Sequence, residues 1–432
     1  MKRSPVQETT RKSPVGEWLA RPTPWWQTTV AVALGGVIYV ALIQSLGGIG
    51  IGDEFETILP SVMMAHGHWS CAFPAARYGP TPLAAPLFPL LAAAIQIVTR
   101  VGFHSPFPSS TLLGAHCQNA NHVFSTWQDQ HGYFAALLKT SLVAWLVLCL
   151  GAIFLIGGTK LRGTRSIWLV PLAFAVSPPV FMAVQEYFHP QDQLALAMTL
   201  FSLGYILRNR YGAAGIMIAL AVLSQQFAVL AVIMLVVVTS GRDRIRLMLS
   251  SFVTLSASVS VLYLLCGRQV VLAAIIGTGK SHIHPGSWMG ELHVSPTLGL
   301  VIARIAPLAL AGIASWWCMR RVDVLHSPVV LLGLLATCWS FRIALEINLY
   351  GYYCVATSAT LIVRDIVAKR VFRGTIWWSL AAMLALDDIP YFAPPWLTYP
   401  LWVWQVTIAL TGSLICWYSL TASLRRQLEP SN

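Results

Sequence analysis

The sequence predicts an all-α, polytopic membrane protein, and three observations carry that prediction. Only 10% of the 432 residues are charged, whereas a soluble domain typically carries about a quarter. Hydrophobic residues make up 56% of the chain, with a mean hydropathy of +0.66. Apolar runs of helix length recur from residue 26 to residue 422, and in lipid only helices or closed barrels satisfy the backbone. We therefore expect a basic cytoplasmic segment 1–25, one transmembrane domain 26–422 and a cytoplasmic tail 423–432.

The basic residues predict the orientation in the membrane. The net charge is +12, but Lys and Arg stand in short clusters between apolar segments, which does not favour a nucleic-acid partner. Such clusters accumulate on the cytoplasmic side. We expect all of them, and both termini, on the cytoplasmic side of the plasma membrane. The clusters are Lys2–Arg21, Lys160–Arg165, Arg208–Arg210, Arg242–Arg246, Arg320–Arg321, Arg364–Arg373 and Arg425–Arg426.

If all basic clusters are cytoplasmic, an even number of membrane crossings must separate each neighbouring pair of clusters. This rule determines how the first long loop is interpreted. Between the first two clusters lie three apolar runs, 26–48, 82–100 and 133–157. The middle run contains three prolines and a glutamine, and proline breaks helices. We therefore expect 82–100 to be a re-entrant or surface-lying juxtamembrane helix in an outer loop, 49–132. The oxidising outer side would permit a disulfide between Cys71 and Cys117, the only cysteines of that loop.

The same rule predicts a broken hairpin in the middle of the chain. One crossing by the apolar run 212–239 would place the next basic cluster outside. Two short helices with a break at Ser224-Gln225-Gln226 restore the even number, although each half reaches only about 20 Å into a core of roughly 30 Å. About twelve transmembrane helices result. The others after 133–157 are 166–186, 192–207, 246–266, 297–317, 328–345, 350–364, 374–387 and 397–421.

In this topology the polar residues fall on the outer side. Asp53 and Glu54 directly follow the first apolar run, and a second outer loop, 267–296, carries cations and histidines. The cytoplasmic connections are short and almost purely basic, so we expect any chemistry on the outer face. The other outer residues that could bind or react are Arg77, His189, Asp192, Arg268, Lys280, His282, His284, Trp288, Arg342, Glu346, Tyr352 and Tyr353.

Five features along 26–365 resemble the GT-C superfamily of membrane glycosyltransferases, and their order along the chain is part of the resemblance. The acid pair Asp53-Glu54 follows the first helix and precedes a long outer loop. The segment YGPTPLAAPLFPLL (78–91) resembles the superfamily's surface-lying Tyr-Pro-Pro-Leu helix, and 212–239 resembles its short hairpin. FHPQDQLALAM (188–198) and FRIALEINLYGYY (341–353) are similar to motifs of the actinobacterial polyprenyl-phosphate-mannose-dependent mannosyltransferases. The chain departs from these patterns at Gln225-Gln226, where a Lys is usual, and at Glu346, where Asp is commoner.

The resemblance implies an enzyme that moves a sugar, with mannose as the expected one, from a polyprenyl-phosphate sugar to a lipid-linked or glycan acceptor. No cofactor or metal is expected, since His282, His284 and His293 lack a recognised zinc spacing. An inverting transfer needs a carboxylate that removes the acceptor proton. Superfamily members carry their essential acid at this point, which assigns Asp53 as the base and Glu54 as the reserve. The alternative is that both acids only cap a helix.

The phosphate leaving group requires cations, and four outer-side residues are candidates. Arg342 lies inside an apolar segment, where an ionisable residue is usually functional or paired. Its alternative role is a structural ion pair with Glu346, one helical turn on. The other three cations are Arg77, Arg268 and Lys280. Lys280 stands with His282 and His284 in a Gly-rich loop that could bind phosphate or shuttle a proton. The alternative is a merely solvated loop.

The remaining candidates would bind substrate. His189 and Asp192 stand on a tight turn through Pro190 and would line the donor or acceptor pocket; the alternative is that Asp192 caps the following helix. Trp288 could stack on a sugar or belong to the interfacial aromatic belt. The other expected substrate contacts are Glu346, Tyr352, Tyr353, His282 and His284.

Two other functions compete with glycosyl transfer. A secondary transporter also uses discontinuous helices and intramembrane charges, but the two halves of this chain show no internal repeat. A non-catalytic lipid-binding membrane protein is the second alternative. Transfer of radiolabelled sugar from a polyprenyl-phosphate donor would separate the enzyme from both.

Overall fold

The structure is a computed structural model in which every regular element of the described residues is helical. It describes residues 18, 21–46, 54–72, 87–99, 110–113, 119–128, 133–185, 188–266, 283, 287–347, 351–368 and scattered positions between 403 and 421. Single helical turns lie at Ser110–Leu113 and Trp288–Glu291. The longer helices are α1 (Trp25–Ser45), α2 (Glu54–Ala65), α3 (Leu87–Thr99), α4 (Ala120–Gln128), α5 (Tyr133–Ile156), α6 (Leu169–Ala175), α7 (Pro178–Gln185), α8 (Pro190–Ile206), α9 (Tyr211–Ser224), α10 (Val229–Val238), α11 (Gly241–Cys266), α12 (Pro296–Met319), α13 (Pro328–Leu345) and α14 (Val355–Val367).

Five of these helices are long and apolar enough to cross a membrane, namely α1, α5, α11, α12 and α13. A sixth candidate is the pair Arg165–Ala175 and Pro178–Gln185, which is bent by 43° where Pro178 interrupts the helix. Large apolar side chains such as Phe252 and Ile313 are exposed on the outsides of α11 and α12. Exposed apolar faces of this size suit contact with lipid acyl chains. The predicted all-α, multi-pass membrane protein is confirmed at this level.

The predicted number of about twelve crossings is larger than the number of long helices in the described part. The reason is length, because α8, α9, α10 and α14 have 17, 14, 10 and 13 residues, and about 20 residues are needed to span. Fourteen of the 17 residues of α8 are buried, including those of its polar first turn, so other parts of the protein cover this helix. Most of the predicted segments 374–387 and 397–421 lie outside the described residues.

Helix α3 forms the described part of the proline-rich run 82–100. It has 13 residues, so it is about 20 Å long and does not reach across a hydrocarbon core. It packs against α2, where Gln96 Nε2 donates a buried hydrogen bond of 2.9 Å to Ser61 Oγ. The glutamine that weakens this run as a membrane crossing is therefore the residue that joins it to α2. Its placement on the outer side stays a prediction.

The turn after α2 contains a disulfide-bonded cysteine. Cys71 ends a single 3₁₀ turn, Trp69–Cys71, and is disulfide-bonded. The side chain of its partner lies outside the described part of the chain. Pairing with Cys117, which is itself outside that part, therefore stays a prediction.

The first two basic clusters lie side by side. Arg165 donates its backbone N–H to the carbonyl of Arg21 at 3.0 Å, and Thr23 donates to the carbonyl of Gly163 at 2.8 Å. These bonds form around an isolated antiparallel bridge between Pro22 and Thr164. The residues before α1 and the residues after α5 are thus at the same end of the molecule.

Three more basic clusters meet at this end. Arg208 interacts electrostatically with Arg162, which joins the end of α8 to the first two clusters. Tyr211, at the start of α9, interacts electrostatically with Asp243 on α11 and Asp323 before α13. The clusters around residues 21, 160–165, 208–210, 242–246 and 320–321 are therefore gathered at one end, which we call the basic end.

The broken hairpin is present where the sequence predicts it. Helix α9 ends at Ser224, Gln225 is extended with φ −158° and ψ 134°, and a 3₁₀ turn over Gln226–Ala228 leads into α10. The Gln225 side chain accepts the backbone N–H of Gln226 at 3.1 Å, which caps the new turn. Because Tyr211 and Asp243 lie at the basic end, the chain leaves that end on α9 and returns to it on α10.

Candidate functional site

A cluster of buried polar side chains lies at the end of the bundle opposite the basic end. Helix α1 starts beside the basic end and finishes at Ser45, and the next residue, Leu46, accepts a 3.0 Å hydrogen bond from Gln185 at the end of α7. Four chain segments build the cluster. They are the first turn of α8 (residues 189–193), the hairpin break (225–227), the end of α13 (342–346) and the 3₁₀ turn Gly351–Cys354 before α14.

The turn into α8 is tight and strained. Phe188 has φ 54° and is fully buried, and this left-handed region is unfavourable for a bulky residue. His189 then donates its backbone N–H to the carbonyl of Ala183 at 2.6 Å. Pro190 starts α8, a position where its fixed φ and missing N–H are tolerated. The strain is concentrated beside His189 and Asp192, as strain often is at functional sites.

Asp192 is completely buried, and only one of its carboxylate oxygens is hydrogen-bonded within the described residues. Its Oδ1 accepts a 2.9 Å bond from Nε2 of Gln225 in the hairpin break. Its Oδ2 has no partner there. Because Oδ1 is bound to a side chain 33 positions away, the carboxylate is not used as a helix cap. The alternative predicted for Asp192 is thus not observed.

His189 is held by a stack and by a hydrogen bond. Its ring lies 3.7 Å from the ring of Tyr352, with an interplanar angle of 10°. Its Nδ1 is 2.8 Å from Nε2 of Gln191, within hydrogen-bonding distance. Tyr353 packs edge-to-face on Tyr352 at 4.7 Å.

Arg342, at the end of α13, contacts two aromatic rings. Its guanidinium carbon is 4.8 Å from the centre of the Phe227 ring and 4.4 Å from that of Tyr353, a geometry typical of cation–π contacts. Arg342 Nε is 3.6 Å from Glu346 Oε2, with side chains only 15% and 7% exposed. The predicted alternative, an Arg342–Glu346 pair, is therefore present, although no described residue accepts a hydrogen bond from the Arg342 Nη atoms.

The two carboxylates and the guanidinium form one electrostatic unit. Asp192 interacts with the charges of Arg342 and His189, and Arg342 is paired with Glu346. Glu346 also accepts the backbone N–H of Ile347 through Oε1 at 3.3 Å. Arg342 thus interacts with two buried carboxylates, and its attraction to both offsets part of the cost of burying them.

Trp288 joins the single turn Trp288–Glu291 to this unit. Its Nε1 donates a 2.8 Å hydrogen bond to the carbonyl of Ala344, two residues before Glu346. The single turn Trp288–Glu291 is capped by Ser287, whose Oγ accepts from the N–H of Gly290 at 3.1 Å. A carbonyl in the last turn of a helix has no partner within that helix, so Trp288 has a structural role here that the sequence does not reveal.

The structure brings together the predicted residues His189, Asp192, Arg342, Glu346, Tyr352 and Tyr353. Glu54 is the first residue of α2, and its side chain is not described. Sequence reasoning missed Gln225 as a site residue, although two glutamines in an apolar run are a recognisable signal, because polar residues in membrane segments are expensive. The predicted site residues that lie outside the described part are Asp53, Arg77, Arg268, Lys280, His282 and His284.

The cluster has the chemistry of a binding site for a polar, partly anionic ligand. Carboxylate oxygens accept hydrogen bonds from hydroxyl groups, a guanidinium binds phosphate or carboxylate, and tyrosine and tryptophan rings supply apolar faces. The ligand would be reached from the end of the bundle opposite the basic end. Comparison with protein-family models and with curated proteins finds no match to this chain.

Proposed function

We propose that this protein is a polyprenyl-phosphate-sugar-dependent glycosyltransferase. It moves a sugar, with mannose as the expected one, to a lipid-linked or glycan acceptor on the outer face of the plasma membrane. The order of the sequence features that resemble the GT-C superfamily supports the proposal. The observation that carries it is Arg342, a nearly buried cation at the end of an apolar helix.

Arg342 has the properties of a phosphate-binding residue for a lipid-borne donor. The charge of a buried arginine is offset by Glu346 on one side, yet its Nη atoms donate to no described residue. A phosphate diester carries one negative charge and several acceptor oxygens, which match the free side of a guanidinium. Phe227 and Tyr353 both contact the guanidinium and restrict its position. The donor's phosphate would therefore meet an oriented cation.

The proposed reaction is an inverting transfer. Asp53 accepts the proton of the acceptor hydroxyl as that oxygen forms its bond to the anomeric carbon of the sugar. The bond between the anomeric carbon and the phosphate oxygen breaks, and polyprenyl phosphate leaves with the electron pair. Arg342 stabilises the charge that develops on this leaving group. Glu54 is the reserve base, and the Asp53 side chain belongs to the part of the chain that the structure does not describe.

The matched variants Arg342→Ala and Glu346→Gln test this proposal. A hydrogen bond to a charged group contributes about 1.5–3 kcal/mol, so Arg342→Ala should weaken binding of farnesyl phosphate mannose by about 10- to 100-fold. Glu346→Gln should weaken it far less, since it removes the counter-charge and leaves the cation. Binding would be measured on protein in lipid nanodiscs, with the unfolding midpoint of each variant recorded in parallel.

The result distinguishes a substrate contact from a structural ion pair. If Arg342 serves only to pair with Glu346, both variants lose stability while the folded fraction of each binds the donor normally. That outcome would remove the observation on which the proposal depends. If the wild-type protein transfers no labelled sugar yet moves the intact lipid across a vesicle bilayer, the transporter alternative replaces it.

A further inference from the structure

The fully buried carboxylate of Asp192 has an acceptor oxygen that no described residue uses. Its Oδ1 is bound by Gln225 Nε2 at 2.9 Å, and its Oδ2 has no partner in the described part of the structure. Gln191, the preceding residue, likewise has an unpartnered buried Oε1 while its Nε2 binds His189. Buried acceptors without a donor are unfavourable. The first turn of α8 therefore presents acceptors that require a donor from outside.

The surroundings of Asp192 restrict what that donor is. No group of three or more potential metal ligands occurs in the described residues. A second cation would meet the positive charge of Arg342, which already interacts with Asp192. An anion would meet the carboxylate itself. A neutral hydroxyl group avoids both conflicts, and a carboxylate forms short, charge-assisted hydrogen bonds with it.

Aromatic side chains beside the carboxylate narrow the ligand class further. Tyr352 and Tyr353 lie next to His189 and Arg342, and Phe227 follows Gln225 by two residues in the hairpin break. A sugar combines hydroxyl groups with apolar C–H faces, so carboxylate and aromatic groups side by side suit it. Arg342 is near enough to Asp192 for the two charges to interact. One sugar phosphate could therefore contact both residues.

We propose that Asp192 binds a hydroxyl group of the donor's sugar through Oδ2, and that Gln225 is the positioning residue that fixes the carboxylate by holding Oδ1. This inference rests on the proposed function and divides its site into two parts. Arg342 binds the phosphate, which every polyprenyl-phosphate donor shares. The Asp192–Gln225 pair recognises the sugar, and so determines which donor is accepted. The hairpin break has a direct role in this division, because it brings Gln225 to Asp192.

Substitution of Asp192 should affect the binding of a donor with sugar and the binding of the same lipid without sugar differently. Asp192→Asn keeps the size of the side chain but replaces a charged acceptor with a neutral amide. Binding of farnesyl phosphate mannose should weaken about 10- to 100-fold, because charge-assisted bonds are the strong ones. Binding of farnesyl phosphate without sugar should stay the same or tighten, because the variant removes a negative charge close to Arg342.

The experiment measures both lipids on the wild type, on Asp192→Asn and on a control, Asp323→Asn. Asp323 lies at the basic end, where its carboxylate binds His326 at 2.7 Å on the surface, so its variant should bind both lipids like the wild type. Gln225→Ala should weaken binding of the sugar-bearing lipid less than Asp192→Asn does. Gln225→Glu should weaken it at least as much as Gln225→Ala, because it places a second carboxylate against Asp192.

Each outcome bears on one proposal or the other. The inference is supported if Asp192→Asn loses binding of the sugar-bearing lipid and keeps full binding of farnesyl phosphate. If a folded Asp192→Asn protein loses binding of both lipids in parallel, or binds both normally, the inference is overturned. The transferase proposal still stands in that case. Wild-type protein that binds neither lipid overturns the proposed function itself and the inference with it. The Gln225 variants keep the test decisive if Asp192→Asn does not fold.

Discussion

The crossing of α9 and α11 leaves no room for a side chain at Gly215, and this gives a strong prediction about the hairpin. A Cβ atom built on Gly215 would overlap Ser250 Oγ and the backbone carbonyl oxygen of Leu247, and it would lie 3.1 Å from the backbone N of Ser251. The carbonyl of Gly215 also accepts a 3.0 Å hydrogen bond from Ser251 Oγ. Ser250 can rotate away, but the Leu247 carbonyl belongs to the backbone of α11.

Gly215→Ala should therefore destabilise the protein, and Gly212→Ala provides the matched control. Gly212 is on the same helix, and its added Cβ would meet nothing within 4 Å. Overpacking costs about 1–3 kcal/mol, whereas replacing a helical glycine by alanine gains roughly 0.5–1 kcal/mol. The net expectation is a loss of about 1 kcal/mol, and at most about 2.5 kcal/mol, for Gly215→Ala and a small gain for Gly212→Ala.

The two variants would be compared by their unfolding midpoints in one detergent at one heating rate, because membrane proteins often unfold irreversibly. Gly215→Ala should melt below the wild type and Gly212→Ala at or above it. If Gly215→Ala is as stable as Gly212→Ala, α9 does not lie on α11 at this point. The return of the chain through a hairpin would then be wrong, and with it the approach of Gln225 to Asp192.

Two other predictions concern topology and pH. A cysteine at Ser105 should react with a membrane-impermeant thiol reagent from outside and one at Arg162 should not; labelling of Arg162→Cys alone would contradict the orientation. Burial, and then the charge of His68, lower the pKa of His66 from 6.5 to about 4, so the unfolded chain binds this proton more readily than the folded one. Stability should fall as the pH drops from about 6.5 towards 4; His66→Gln should reduce that fall, and an unchanged pH dependence would contradict the placement.

The helical parts of the fold are largely predictable because local polarity determines them. Ser224-Gln225-Gln226 interrupts the apolar run 212–239, and α9 ends there. In the run 82–100 the described helix has only the 13 residues Leu87–Thr99. The predicted segment 328–345 coincides with α13. The bend at Pro178 was not predicted, since 166–186 has enough apolar residues for one straight helix.

The contacts within the site are less predictable because they join distant parts of the sequence. His189, Asp192 and Arg342 stand out as polar residues in apolar surroundings, so composition is enough to select them. The bond from Gln225 to Asp192 spans 33 positions and depends on where the hairpin turns. Trp288 illustrates the same limit, because its hydrogen bond to Ala344 spans 56 positions and depends on how the turn Trp288–Glu291 packs against α13.

The two acids at the start of α2, Asp53 and Glu54, allow the most direct test of the proposed chemistry. The helix begins at Glu54, so Asp53 is the residue that links it to the preceding segment. Asp53→Asn keeps the shape of the side chain and much of its hydrogen-bonding capacity but cannot accept a proton. Removal of a general base typically costs about 10²- to 10⁴-fold in rate, whereas Glu54→Gln should cost much less.

The measurement is transfer of radiolabelled mannose from polyprenyl-phosphate mannose by wild-type, Asp53→Asn and Glu54→Gln proteins in membranes, with folding and donor binding checked for each. We expect the wild type to transfer sugar, Asp53→Asn to bind the donor but lose most turnover, and Glu54→Gln to remain active. An inactive Glu54→Gln beside an active Asp53→Asn would move the base by one residue. Full activity in both variants, or no transfer by the wild type, would contradict the proposed mechanism.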